Sequence, residues 1–112
     1  MPSILHEIGF FQFENLVRNR VSFLLLNLGA DTKGLFQGFY QNHLEAQTLA
    51  STPATAVQDV RARGVPADQA ILILCDSGRE SGALVDALEN AGYTNVYYVS
   101  GGVSALRAEL GK

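Results

Sequence analysis

Two short stretches of this chain are apolar without a break: Phe23 to Leu26, set within the longer run Val21 to Leu28, and Ile71-Leu72-Ile73-Leu74-Cys75. A strand with one face in water alternates polar and apolar residues. An unbroken apolar run of strand length must be covered on both faces. Helical patterns lie where that cover is needed. Phe11 to Asn19 reads as a short helix presenting Phe13, Leu16 and Val17. Thr52 is placed to cap, and Pro53 to open, a helix with Ala56, Val57 and Val60 on its apolar face, ended by Gly64 and Pro66. Ser81 to Ala91 carries Leu84, Val85, Leu88 and Ala91 on one face, and Gly92 closes it. Asn95 to Val99 reads as a third strand, Gly101-Gly102 as a turn, and Val103 to Leu110 as a last helix. Strands alternating with helices predict an α/β domain around a central, mostly parallel sheet with helices on both faces. Gly29 to Gly34 reads as a turn, and Leu35 to Leu49 as irregular or short helical structure.

A chain of 112 residues suits one domain, here residues 1–112. The formal net charge is −3, and the excess acid lies entirely after Tyr40. No basic stripe is present to neutralise phosphates, so no nucleic-acid partner is expected. The apolar runs are too short to cross a bilayer, and the first ten residues lack a signal-peptide pattern. The expected location is cytoplasmic, with no membrane partner. With one cysteine and only His6 and His43 beside it, neither an internal disulfide nor a zinc site is expected. Phe10, Phe11, Phe36, Phe39 and Tyr40 are expected to join the core, with an apolar homodimer contact as the alternative.

In parallel α/β sheets, ligands bind beyond the carboxyl ends of the strands, and Cys75 stands at such an end. Cys75-Asp76-Ser77-Gly78-Arg79-Glu80-Ser81 joins strand to helix in very few residues. A turn that tight folds successive N–H groups inward and adds those of the helix's first turn, forming a ring of donors for an anion. The same donors stabilise a thiolate, the nucleophilic form of cysteine.

Cys75-x-x-Gly78-x-x-Ser81, the helix after it, Ala91-Gly92-Tyr93-Thr94-Asn95-Val96-Tyr97 and Gly101-Gly102 follow in an order and spacing that resemble the C-terminal half of a rhodanese-like domain. Val65 to Ala70 resembles that family's lead-in to the strand. The first half departs from the pattern. Where the family shows Asp-x-Arg after an early strand, this chain has Asn27-Leu28-Gly29, and Asn42 to Gln47 only echoes the family's Gly-His-Ile-Pro-Gly-Ala. His43 is therefore expected to be structural.

The resemblance implies the three-layer rhodanese-like fold and a sulfurtransferase in which Cys75 carries a sulfane sulfur as a persulfide. Asp76, Ser77, Gly78, Arg79, Glu80 and Ser81 would form the substrate-binding loop. It implies no metal or organic cofactor, and as partners a small-molecule or protein sulfur donor and a thiol acceptor. Active relatives commonly carry basic residues in this loop, whereas this chain has Asp76 beside the cysteine and Glu80 five places on. A carboxylate roughly 7 Å from a thiolate opposes it by about 2 kcal/mol at an effective dielectric of ~20, and by less when solvated. Slow thiosulfate turnover follows, as does the alternative of a non-catalytic binding or regulatory module. A cysteine phosphatase would need an arginine where Ser81 stands, and a thioredoxin-like protein a second cysteine.

Overall fold

The computed structural model describes residues 7–19, 22–32, 34, 36, 38–76, 81–99 and 101–110. The elements run β1 (Glu7–Ile8), α1 (Phe10–Arg18), β2 (Leu24–Asn27), α2 (Phe39–Ala46), β3 (Thr48–Ala50), α3 (Ala56–Arg63), β4 (Ile71–Leu74), α4 (Ser81–Asn90), β5 (Val96–Val99) and α5 (Gly102–Leu110). The strands form one sheet in the order β1-β5-β4-β2-β3, and every pairing is parallel. The α/β architecture read from the alternating patterns is the one observed.

The two apolar runs occupy the sheet's interior. β4 lies between β2 and β5, with Leu24 opposite Ile71 and Ile73 opposite Tyr98. All four β4 side chains are buried, each contributing about 2 kcal/mol relative to exposure. Side chains alternate across a strand, so Leu72 and Leu74 enter one core while Ile71 and Ile73 enter the other. The first core gathers Phe13 and Val17 of α1, Leu44 of α2, and Val103 and Leu106 of α5. The second gathers Ala56 and Val60 of α3 with Leu84, Val85 and Leu88 of α4. Helices thus cover both faces, α1, α2 and α5 on one and α3 and α4 on the other.

Several expectations change in detail. The helix expected to open at Pro53 begins at Ala56, with Thr55 at its N-cap. Residues 53–55 form a turn in which the Thr55 N–H donates to the Thr52 carbonyl and hydroxyl, both at 3.2 Å. Pro53 thus takes the second position of a turn, which its fixed φ also suits. Asp59 accepts from the hydroxyls of Ser51 (2.6 Å) and Thr55 (2.9 Å), holding Thr55 at the cap. The stretch Leu35 to Leu49 contains a full helix, α2, and most of a strand, β3. Gly102 is the first residue of α5 rather than part of a preceding turn.

Phe36 is buried in the first core, and Phe10 and Tyr40 pack partly buried against it, while Phe11 is 73% exposed. The Phe39 side chain lies outside the described residues. Arg18 ties α1 to α2, its guanidinium 5.3 Å from the Tyr40 ring centroid and 6.0 Å from that of Phe36. Among the described residues, no helix is long and apolar enough to cross a membrane.

Candidate active site

Because all strands are parallel, their carboxyl ends share one edge of the sheet, and the connections leaving that edge diverge. β2 feeds α2 and β5 feeds α5, both on the face of the first core; β4, between them, feeds α4 on the opposite face. Adjacent strands whose following helices lie on opposite faces mark the topological switch point at which α/β sheets bind ligands. Cys75 follows β4 directly and occupies that point. It is 4% exposed, with Asp76 exposed beside it.

Three successive carbonyls fix the backbone there. The Leu74 carbonyl accepts the Leu28 N–H at 2.8 Å, from the end of β2. The carbonyls of Cys75 and Asp76 accept the N–H groups of Val103 (2.8 Å) and Ser104 (3.0 Å), in the first turn of α5. Those amides have no partner within their own helix, so the docking satisfies both sides. It also explains the paired glycines. A Cβ on Gly102 would lie 2.2 Å from the Cys75 carbonyl oxygen, and one on Gly101 would lie 2.7 Å from the Ala105 Cβ. Both residues have positive φ, 73° at Gly101 and 63° at Gly102. No larger residue fits so close to the cysteine's backbone.

The neighbouring connection is held by Asn27, which stands in place of the family's acidic residue. Its Nδ2 donates to the Ala30 carbonyl (2.9 Å) and its Oδ1 accepts the Ala30 N–H (2.8 Å). Arg107 of α5 reaches the same segment, donating to the Asp31 carbonyl at 2.7 Å with the Asp31 carboxylate 3.8 Å away. β2, β4 and α5 are thereby bound together around Cys75.

Of the loop residues expected to surround a substrate, Ser77, Gly78, Arg79 and Glu80 lie outside the described residues, as does the Ser81 side chain. Ser81 opens α4. His43 sits on α2 with its ring edge-to-face against Phe23, centroids 6.1 Å apart. Phe23 precedes β2, so His43 lies at the opposite end of that strand from Asn27, away from Cys75. Two surface recesses, of about 160 Å³ by Phe23 and Arg63 and about 500 Å³ by Leu16 and Tyr97, also lie toward the amino ends of the strands. Neither includes the cysteine. The supports from Leu28, Val103 and Ser104 are backbone groups, which no residue-type signal marks; the double glycine was the visible trace of two of them. Among the described residues, no group of three or more His, Cys, Asp or Glu is placed to hold a metal ion.

A search of curated proteins finds no match to the chain. Among solved structures it is similar to a rhodanese-related protein from Thermoplasma volcanium, with a TM-score of 0.63 and 16% identity over 93% of this chain and 92% of that one. It is also similar to part of a NAD-dependent persulfide reductase from A. fulgidus, with a TM-score of 0.51 and 18% identity over 77% of this chain and 14% of that one. At these identities the likeness is one of fold. The sequence itself matches the family model of the rhodanese-like domain over residues 39–109. That span runs from α2 through α5 and takes in Cys75 and the glycines that let α5 reach it, more than half of the chain; the chain belongs to the rhodanese-like domain family.

Proposed function

We propose that the chain is a sulfurtransferase that carries a sulfane sulfur on Cys75. The observation that carries this reading is the position of Cys75, at the switch point beyond the central strand and within the family match. In the first step the Cys75 thiolate attacks the sulfane sulfur of a donor. A new S–S bond forms, the bond from that sulfur to the rest of the donor breaks, and the donor leaves with the electron pair. In the second step an acceptor thiolate attacks the outer sulfur of the persulfide, and Cys75 departs as thiolate. One covalent intermediate divides the transfer into two displacements that need no outside oxidant or reductant.

Asp76 and Glu80 set the donor preference. Both carry charge of the same sign as thiosulfate and the attacking thiolate, so a neutral or protein-borne donor is favoured. Asp76, Ser77, Gly78, Arg79, Glu80 and Ser81 form the binding loop in this proposal, with Arg79 its one base. A cytoplasmic location belongs to the same reading, since a reducing compartment keeps the thiol available. The deciding experiment is intact-mass measurement after incubation with thiosulfate, mercaptopyruvate or a persulfide donor. A gain of one sulfur that Cys75→Ser abolishes is expected, largest with the persulfide. No gain with any donor, or a gain that survives Cys75→Ser, would leave a binding module in place of an enzyme.

A further inference from the structure

We propose that Gly102 is a positioning residue for Cys75, admitting the first turn of α5 to the Cys75 and Asp76 carbonyls so that α5 holds and polarises the peptide that follows the thiol. The described residues contain no cis peptide. In a trans peptide the C=O and N–H point to opposite sides of the chain. With the Cys75 carbonyl bound to the Val103 N–H at 2.8 Å, the Asp76 N–H of the same peptide is turned away from α5. That is the side from which Leu28, at the end of β2, reaches the preceding carbonyl. A peptide whose carbonyl accepts a hydrogen bond becomes a stronger donor at its N–H. The positive end of α5 acts on the same two carbonyls, because its unsatisfied amides are the groups that bind them. α5 thus strengthens and orients a donor in the peptide bonded directly to Cys75, pointing away from the helix itself. The arrangement exists only because position 102 has no Cβ: one placed 2.2 Å from the Cys75 oxygen would push α5 off both carbonyls.

The proposal rests on the sulfur-carrier reading for its purpose, but its test uses no sulfur donor. The thiolate fraction of Cys75 is followed against pH by its ultraviolet band, with Cys75→Ser as the blank, in the whole chain. Gly102→Ala is compared with Gly64→Ala. Gly64 has a similar φ of 74° but nothing within 4 Å of a Cβ, so it carries the backbone strain without the contact. The expected result is a thiolate fraction at neutral pH about threefold lower in Gly102→Ala and unchanged in Gly64→Ala. Should Gly102→Ala not fold, a semisynthetic chain with an ester in place of the Val103 amide deletes the donor without adding an atom near Cys75, and the same fall is expected. A titration in the folded Gly102→Ala protein, or in the ester variant, that overlays the wild type would overturn the proposal. Failure of sulfur transfer with the predicted titration shift would refute the carrier reading alone.

Discussion

Replacing Asn27 with the acidic residue its family shows at that place should weaken this protein, and by an amount that depends on pH. Asn27 uses both ends of its amide on Ala30, donating at 2.9 Å and accepting at 2.8 Å. Ala30 is buried, so its carbonyl has little access to water once the donor is lost. In Asn27→Asp the accepted bond gains about 1 kcal/mol from the charge, while the donated bond, worth about 1 kcal/mol, disappears. In its place a carboxylate oxygen faces an unpaired carbonyl, a penalty of about 1–2 kcal/mol. The net loss at pH 7 is therefore about 1–2 kcal/mol, or about 4–8 °C in melting temperature for a chain of this size. The sign with pH follows from protonation. A neutral carboxyl group can donate to the Ala30 carbonyl, so the folded state favours the protonated form and raises the pKa of the new side chain above its unfolded value of about 3.9. The penalty is complete above the folded value and vanishes as pH falls below the unfolded one. Urea unfolding of wild type, Asn27→Asp and Asn27→Ala at pH 7 and near pH 3 tests this. The Asp variant should converge on wild type in acid, and the Ala variant, which loses both bonds, should not. An Asp variant as stable as wild type at pH 7, or a deficit unchanged in acid, would refute the account of Asn27 as a two-ended bracket.

Two further outcomes test other parts of the fold. Hydrogen bonds from Ser51 first, then Thr55, hold the Asp59 carboxyl below its ordinary value of 3.8. Its contribution to stability is complete above that value and is lost as pH falls through the lower folded one, so Asp59→Asn should flatten the acid limb of the stability–pH curve. In the first core the Phe13 and Phe36 rings lie 6.0 Å apart, tilted by 42°. A double-mutant cycle to leucine should return a coupling of about 0.5–1.5 kcal/mol, whereas pairing Phe13→Leu with Leu88→Ala, across the sheet, should be additive within about 0.5 kcal/mol.

The sequence was most legible where burial is complete on both sides. Ile71 to Leu74 could not be a surface strand, and the pattern Leu84, Val85, Leu88 could not be anything but a helix facing a core. What escaped were elements whose reason lies in their neighbours. β1 is two residues and β3 three, each an edge strand bonded on one side, and neither Glu7-Ile8 nor Thr48-Leu49-Ala50 has a periodicity that could announce it. α2 was obscured because Tyr40 and His43 meet Arg18 and Phe23, partners far away in sequence, so its inner face is not plainly aliphatic. At Thr52-Pro53 two rules competed. Proline suits both the first turn of a helix and the second position of a turn, and the hydroxyls gathered by Asp59 decided for the turn.

The departure of the first half from its family, set beside the fidelity of the second, has a structural reason in how Cys75 is held. The three carbonyls around it are bound by amides of Leu28, Val103 and Ser104, and an amide is supplied by every residue except proline. Substitution at positions 27 to 29 can therefore change the side chains without disturbing the bond from Leu28, provided the connection keeps its path, and Asn27 secures that path by bonding to Ala30. On the other side the requirement is strict, because α5 approaches so closely that position 102 admits no side chain. The motif that survived is thus the one imposed by sterics, and the motif that drifted is one whose local work another residue can do. The charge on Asp76 falls in the second category: it is exposed, and the supports described around Cys75 are backbone amides and carbonyls. A fold with these constraints can alter the electrostatics around the cysteine while keeping its backbone where it is.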